Sequence, residues 1–282
     1  MRVVRSLDVD VTDLSAVRNG IEDLYDDKLD VIVVRNAFDA RRLAAAGAAL
    51  DRADGHIGWA RPNEKMPVED IELLGTDTPA TPTYRAPRGA SLDEYLASAQ
   101  RHEALTAGVF DSTFDGTEEF RRVLGLFGAG RPVEVPTAPD GRRYTPFTIR
   151  RLTDGRQIGI HHDYHYSLPL YSDLASRLDT ATLVSFVATL QPPDAGGELF
   201  VYGVTPDTPN APKLPNGFSW DLAAIERDFN SARFDVGAGD LFLLASGRCL
   251  HRVNRVEGPR ARVTMGGFLA FEKGRKTVLF WS

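Results

Sequence analysis

The residues best suited to chemistry lie in Gly159-Ile160-His161-His162-Asp163 and, far downstream, at His251. Successive side chains of an extended strand point to opposite faces, so His161 and Asp163 share a face and His162 points away from it. His251 follows the apolar run Asp240-Leu-Phe-Leu-Leu-Ala245 and can bring a second imidazole from a neighbouring strand. Two histidines and one carboxylate on one side of a metal ion leave three adjacent coordination positions open, the facial set that suits ferrous iron and oxygen chemistry. Each residue alone has a plainer explanation: strand histidines satisfied by neighbours, and an aspartate capping a turn.

Arg262 and Thr264 lie two apart on the next strand and share a face. A guanidinium beside a hydroxyl can hold a carboxylate through charge-assisted, two-point contact. If the open metal positions take the 2-oxo acid end of 2-oxoglutarate through two oxygens, its far carboxylate falls to Arg262 and Thr264, and one position is left for O2. Arg260 has the same parity and is the rival anchor, although Pro259 sets it against a turn. Tyr144, Phe147, Tyr164, His165, Tyr166 and residues 220–231 are the candidate substrate-pocket residues. His165 shares the face of His161 and Asp163 and is expected to line the pocket rather than bind metal. Tyr144 and Phe147 differ in parity and both reach a pocket only if Pro146 bends the strand. Aromatic strand residues belong more often to a core.

The elements that must position these residues change character near Pro132. Before it, residues 29–36 contain a β-branched run that reads as a strand. Residues 40–52, 91–108 and 117–127 read as helices, the last with Asp115 and Glu118 at capping-box spacing. Residues 54–90 lack sustained periodicity and are expected to form a long loop, a candidate lid. After Pro132, eight short strands are predicted over 144–152, 157–163, 180–190, 198–202, 232–236, 240–245, 249–253 and 261–271, separated by turn residues such as Asp154-Gly155 and Gly237-Ala-Gly239. That pattern fits a mainly β double-stranded β-helix, the jelly-roll or cupin-like architecture. Residues 203–231 interrupt it with a Pro-rich stretch and a short helix near 220–229, a second candidate lid element. The expected organisation is one domain over 1–282, with a helical flank and lid elements in 1–131 and the jelly-roll core in 132–282.

Composition narrows the partners. A net charge of −6 leaves no basic excess to neutralise phosphates, so nucleic acid is not expected, and no basic membrane-binding surface stands out. The N-terminus lacks a secretory apolar core, and no run of about 18 apolar residues suggests a membrane span. The single cysteine, Cys249, cannot form an intrachain disulfide and is expected to be a small buried thiol, which suits a reducing cytoplasm. The expected partner is a small-molecule substrate; oligomeric state is not legible.

His161-x-Asp163, His251-Arg-Val-Asn-Arg-Val-Glu-Gly258 and Arg262-Val-Thr264 together resemble the Fe(II)/2-oxoglutarate-dependent dioxygenases. Arg131-Pro-Val-Glu-Val-Pro-Thr137, Tyr144-Thr-Pro-Phe-Thr-Ile-Arg150, Gly196-Gly-Glu-Leu199, Gly266-Gly-Phe-Leu-Ala-Phe271 and the ending Trp281-Ser282 resemble the freestanding indole-alkaloid halogenases of the hapalindole and welwitindolinone type, and more distantly the N-acyl amino-acid hydroxylases. The resemblance is specific over residues 130–282. It implies Fe(II), 2-oxoglutarate and O2 as cofactor and co-substrates, release of succinate and CO2, and oxidation of an unactivated C–H bond. It also carries a departure: those halogenases have glycine at the carboxylate position, where chloride binds, and this chain has Asp163. The resemblance so qualified implies hydroxylation of an amino-acid derivative or alkaloid-like metabolite. Desaturation, cyclisation or halogenation by the same chemistry, and a non-catalytic jelly-roll binding protein, are the alternatives.

Overall fold

Strands buried on both faces lose the in-out alternation of a half-exposed sheet and become continuously apolar. Val31–Arg35 and Leu241–Leu244 show this: Val31 to Val34 and Leu241 to Leu244 are all buried. They lie side by side in the larger of the two main sheets; a third, two-stranded sheet pairs Ala195–Gly196 with Val256–Glu257. The computed structural model describes residues 2–13, 17–53, 59–60, 72–74, 91–110, 114–163, 172–217 and 219–282. Across the larger sheet the strands run Ser6–Asp10, Val31–Arg35, Leu241–Leu244, Val184–Gln191, Arg262–Phe271, Thr148–Leu152, Glu72–Leu74 and Trp59–Ala60. Val278–Trp281 pairs with the second half of Arg262–Phe271. The smaller sheet runs Ser231–Phe234, Leu199–Tyr202, His251–Val253, Ile158–His161. All eight strands anticipated after Pro132 form, and the two sheets face each other as a jelly roll.

Helices close the outer face of the larger sheet. On Val184–Gln191 the even residues turn outward: the Phe186 ring meets Phe120 of helix Gly116–Gly125 with centroids 4.8 Å apart. The odd residues Ser185, Val187 and Thr189 line a cavity between the sheets. The Gly116–Gly125 helix starts where Asp115 accepts a hydrogen bond from the Glu118 amide at 3.0 Å. A reciprocal capping box forms instead at helix Leu92–Phe110, where the Glu94 amide bonds Ser91 Oγ and the Ser91 amide bonds Glu94 Oε2. Residues from these helices and from both sheets belong to a single apolar core.

Two expectations change. Residues 203–231 are not a lid over the metal-side cavity. Trp220, Leu222, Ile225 and Phe229 pack with Ile160, Phe200 and Tyr202 on the outer face of the smaller sheet, because those side chains have the parity opposite to His161. The expected 54–90 loop lies mostly outside the described residues; its described parts, Trp59–Ala60 and Glu72–Leu74, extend the larger sheet beside Thr148–Leu152. Among the described residues no helix is long and apolar enough to cross a membrane.

Strand Arg262–Phe271 is squeezed between neighbours at Gly266-Gly267. A Cβ on Gly266 would lie 2.3 Å from the Phe186 carbonyl oxygen, and one on Gly267 would lie 2.2 Å from that of Trp281. Both obstacles are backbone and cannot swing aside. Gly267→Ala is expected to destabilise the fold by about 1–3 kcal/mol through overpacking, read by urea denaturation; a change below ~0.5 kcal/mol, ordinary for a surface site, would contradict this account of the strand spacing.

Candidate metal centre

His161 ends its strand and His251 begins the adjacent antiparallel one, and the two are paired directly across the ladder. Their rings lie 4.2 Å apart. Asp163 sits two residues beyond His161, where its amide donates to the Ser246 carbonyl at 2.9 Å and turns the chain toward the larger sheet. His161 Nε2 is 3.7 Å from Asp163 Oδ1, and His251 Nε2 is 3.8 Å from Asp163 Oδ2. Two donors each about 2.1 Å from one ion are at most ~4.2 Å apart, so each histidine lies within sharing distance of one oxygen of the Asp163 carboxylate. Among the described residues His161, Asp163 and His251 form the one cluster of three or more His, Cys, Asp or Glu whose ligand atoms, one from each, all lie within 4.8 Å of one another.

The hydrogen bonds around the cluster prepare each donor atom. His161 Nδ1 lies 2.7 Å from the Gly159 carbonyl oxygen and His251 Nδ1 lies 2.9 Å from that of Cys249. A carbonyl oxygen only accepts, so both Nδ1 atoms carry the proton and both Nε2 atoms keep a lone pair for a metal. Burial, reinforced by His161, pulls the His251 pKa down to about 4, with Asp163 opposing. The ring is therefore neutral at neutral pH, as a ligand must be. Ser185 Oγ donates to Asp163 Oδ2 at 2.7 Å and lies 2.6 Å from Ser246 Oγ. This occupies one carboxylate oxygen from behind and leaves Oδ1 facing His161.

From this cluster the cavity runs between the sheets to Arg150, Thr189, Thr264 and Arg262. Register explains the convergence: Arg150, Thr264 and Thr189 are cross-strand partners on three adjacent strands, with Leu152 and Arg262 paired one step deeper. Burial, then the charge of Arg150, lowers the Arg262 pKa to about 10, which still leaves the guanidinium charged at neutral pH. Arg260 is not in this cavity. It lies before the strand, its amide bonds Asp194 Oδ2 at 3.0 Å, and it borders a different depression with Trp59 and Arg151.

Tyr144 and Phe147, expected near a substrate, are core residues instead. Tyr144 is buried against Tyr95 with its hydroxyl 3.2 Å from Asp173 Oδ2, and Phe147 packs on Phe120 and His102. Neither lines the metal-side cavity. His162 faces outward to Trp220, as its parity requires. Tyr164, His165 and Tyr166 lie outside the described residues. Cys249 is a buried free thiol whose pKa burial pushes up to about 12, an unreactive state. Ser185, Ser246, Thr189 and Arg150 escaped the sequence reading. Arg150 had a signal: an arginine sharing strand parity with Thr148 and Leu152, where an interior apolar residue is normal.

The family profile of the carrier-protein-independent halogenase WelO5 matches residues 3–282. The chain belongs to that family. With it, the chain is a non-haem iron, 2-oxoglutarate-dependent oxygenase, and the His-Asp-His donor set fits the iron. Among solved structures, an N-substituted L-amino acid dioxygenase from Burkholderia ambifaria AMMD in complex with alpha-ketoglutarate is similar over 92% of this chain and 90% of its own, with 17% identity and a TM-score of 0.52. A second structure of the dioxygenase from that organism gives 17% identity over 93% and 91%, with a TM-score of 0.50. At this identity the likeness speaks for the fold. No curated protein matches the chain.

Ser185→Ala removes the hydroxyl that braces Asp163 without touching either histidine. Loss of such a partner typically costs about 10- to 100-fold in metal affinity. Anaerobic Fe(II) titration should show a loss in that range with the melting temperature nearly unchanged; undiminished Fe(II) affinity would remove Ser185 from this role.

Proposed function

We propose that this chain hydroxylates an unactivated C–H bond of a small molecule, an amino-acid derivative or alkaloid-like metabolite, with conversion of 2-oxoglutarate and O2 to succinate and CO2. The observation that carries this reading is the convergence of the Asp163 carboxylate with His161 and His251, where the halogenase resemblance implies glycine and chloride. His161, Asp163 and His251 would hold the iron through the two Nε2 atoms and the Asp163 carboxylate. When bound, iron supplies the site at which dioxygen is activated at the expense of 2-oxoglutarate.

The protein's own residues then have distinct tasks. Ser185 keeps Asp163 Oδ2 engaged, which would leave the other carboxylate oxygen available to a metal. Arg262, with Thr264 and Arg150 on the same cavity wall, would hold the far carboxylate of 2-oxoglutarate by charge-assisted hydrogen bonds. Leu199, Phe242, Val253 and other apolar residues line the space between and exclude water from it. Residues 1–282 are proposed to act as one catalytic domain, supported by the apolar core shared between the flanking helices and the sheets. The buried, unpaired Cys249 supports a reducing cytoplasmic setting.

A jelly-roll binding protein without catalysis would have no use for this whole set of donors on one face. Halogenation is the second reading, favoured by the family match.

Aerobic turnover with Fe(II), 2-oxoglutarate, chloride and a metabolite library separates the two. Substrate-dependent succinate release is expected together with a product heavier by one oxygen atom; a chlorinated product from the unmodified chain would overturn the assignment of reaction. Arg262→Ala should raise the 2-oxoglutarate requirement by about 10- to 100-fold, the loss of one charged hydrogen-bonding group, with little change in melting temperature. An unchanged requirement would move the anchor elsewhere.

A further inference from the structure

Arg262 borders two cavities. One is the space between the sheets that leads to His161, Asp163 and His251. The other lies behind it, walled by the Pro192–Gly197 turn and by Arg233, Asp235 and Asp240, and contains none of the metal-site residues. Thr189, Leu199, Val236 and Arg262 line both. The turn presses directly on the arginine stem: a Cβ on Gly197 would lie 3.0 Å from Arg262 Cδ. Behind the metal-side cavity there is thus open polar space rather than packed core, and Arg262 is part of the partition.

Nothing charged pins that partition in place. Among the described residues Arg262 makes no ion pair, and its strongest charged neighbour is Arg150, which repels it. Four carboxylates line the rear cavity, and none of them pairs with Arg262: Glu198 is held by Arg233 at 3.1 Å and Asn254 at 2.9 Å, Asp240 by Arg35 at 2.7 Å and the Gly237 amide at 2.9 Å, Asp235 by Arg233 at 3.0 Å, and Asp194 accepts from the Arg260 amide at 3.0 Å. The rear cavity is lined by polar groups and is roomy enough for water, so a retreating guanidinium would enter polar surroundings rather than packed apolar core. A dicarboxylate one methylene longer than 2-oxoglutarate demands a retreat of about one C–C bond, ~1.5 Å.

We propose that the site accepts 2-oxo diacids longer than 2-oxoglutarate, with 2-oxoadipate as the first, because Arg262 can withdraw into the rear cavity while still holding the distal carboxylate. This rests on the assignment of Arg262 as the co-substrate anchor. In a barrel whose far end is packed, the same arginine would have nowhere to go and length selection would be strict.

The test is anaerobic calorimetric titration of the Fe(II)-loaded protein with 2-oxoglutarate and, separately, 2-oxoadipate, in the absence of turnover. Binding of 2-oxoadipate within about tenfold of 2-oxoglutarate is expected. Filling the rear cavity from residues that line it alone, with Ala195→Trp or Asp235→Trp, should weaken 2-oxoadipate by roughly tenfold or more and leave 2-oxoglutarate within about twofold. Two such variants guard against one that misfolds, which a melting curve would reveal. Binding of 2-oxoglutarate with 2-oxoadipate more than ~100-fold weaker would overturn the inference and leave the anchor assignment standing. Folded, cavity-filled variants that bind both diacids like the parent would also overturn it. Failure to bind either diacid would instead remove the co-substrate assignment itself.

Discussion

The structure turns on the register between two short strands. His251 stands opposite His161 across an antiparallel pair, at the end of one strand and the start of the other. A slip of one residue would send one imidazole to the outer face of the smaller sheet, where Ile160 and Phe200 pack under Trp220 and Phe229. The outer apolar cluster and the inner polar cluster therefore enforce the same alignment from opposite sides. The ladder is irregular immediately afterwards, between His251 and Val253, so regular pairing reaches the metal level and then yields.

The third donor comes from the chain's exit from that strand. Asp163 is tied by its amide to Ser246 and by its carboxylate to Ser185, both belonging to segments of the larger sheet, so the triad bridges the two layers. The approach to His251 is braced on the far side. Arg248 donates to the Leu24 and Leu29 carbonyls at 3.1 and 3.0 Å and faces the buried Asp30. Burial pushes the Asp30 carboxyl up, but Arg5 and Arg2 outweigh it and hold it below the usual carboxylate range. The N-terminal segment thus braces the strand entry that carries the candidate ligand His251, and among its described residues it contributes no donor to the cluster.

Much of this was legible in the sequence because alternation in a strand is a strict geometric rule. The shared face of His161 and Asp163 and the outward turn of His162 follow from it, while the eight barrel strands are marked out by the turn residues between them. What escaped had physical reasons. Gly20–Tyr25 and Ser172–Arg177 are six-residue helices, too short to display a period. Ser185 and Ser246 look like ordinary strand and turn serines, and only tertiary contact makes them partners of Asp163. Tyr144 and Phe147 lie before the regular strand begins at Thr148, so parity did not apply to them and packing against helices decided their fate. Residues 203–231 combined proline, glycine and a short helix, a composition that suits a lid or a packed flap equally; the apolar face of the helix settled the matter.

The family profile that matches the chain is described by a halogenase, and the chain's candidate ligands include a carboxylate. A crystal structure of the chain grown anaerobically with Fe(II) and 2-oxoglutarate tests the central claim most directly. The account predicts one ion bound by Nε2 of His161, Nε2 of His251 and a single oxygen of Asp163, with Ser185 on the other oxygen. An ion held by the two histidines while Asp163 points away and chloride or water takes its place would contradict it.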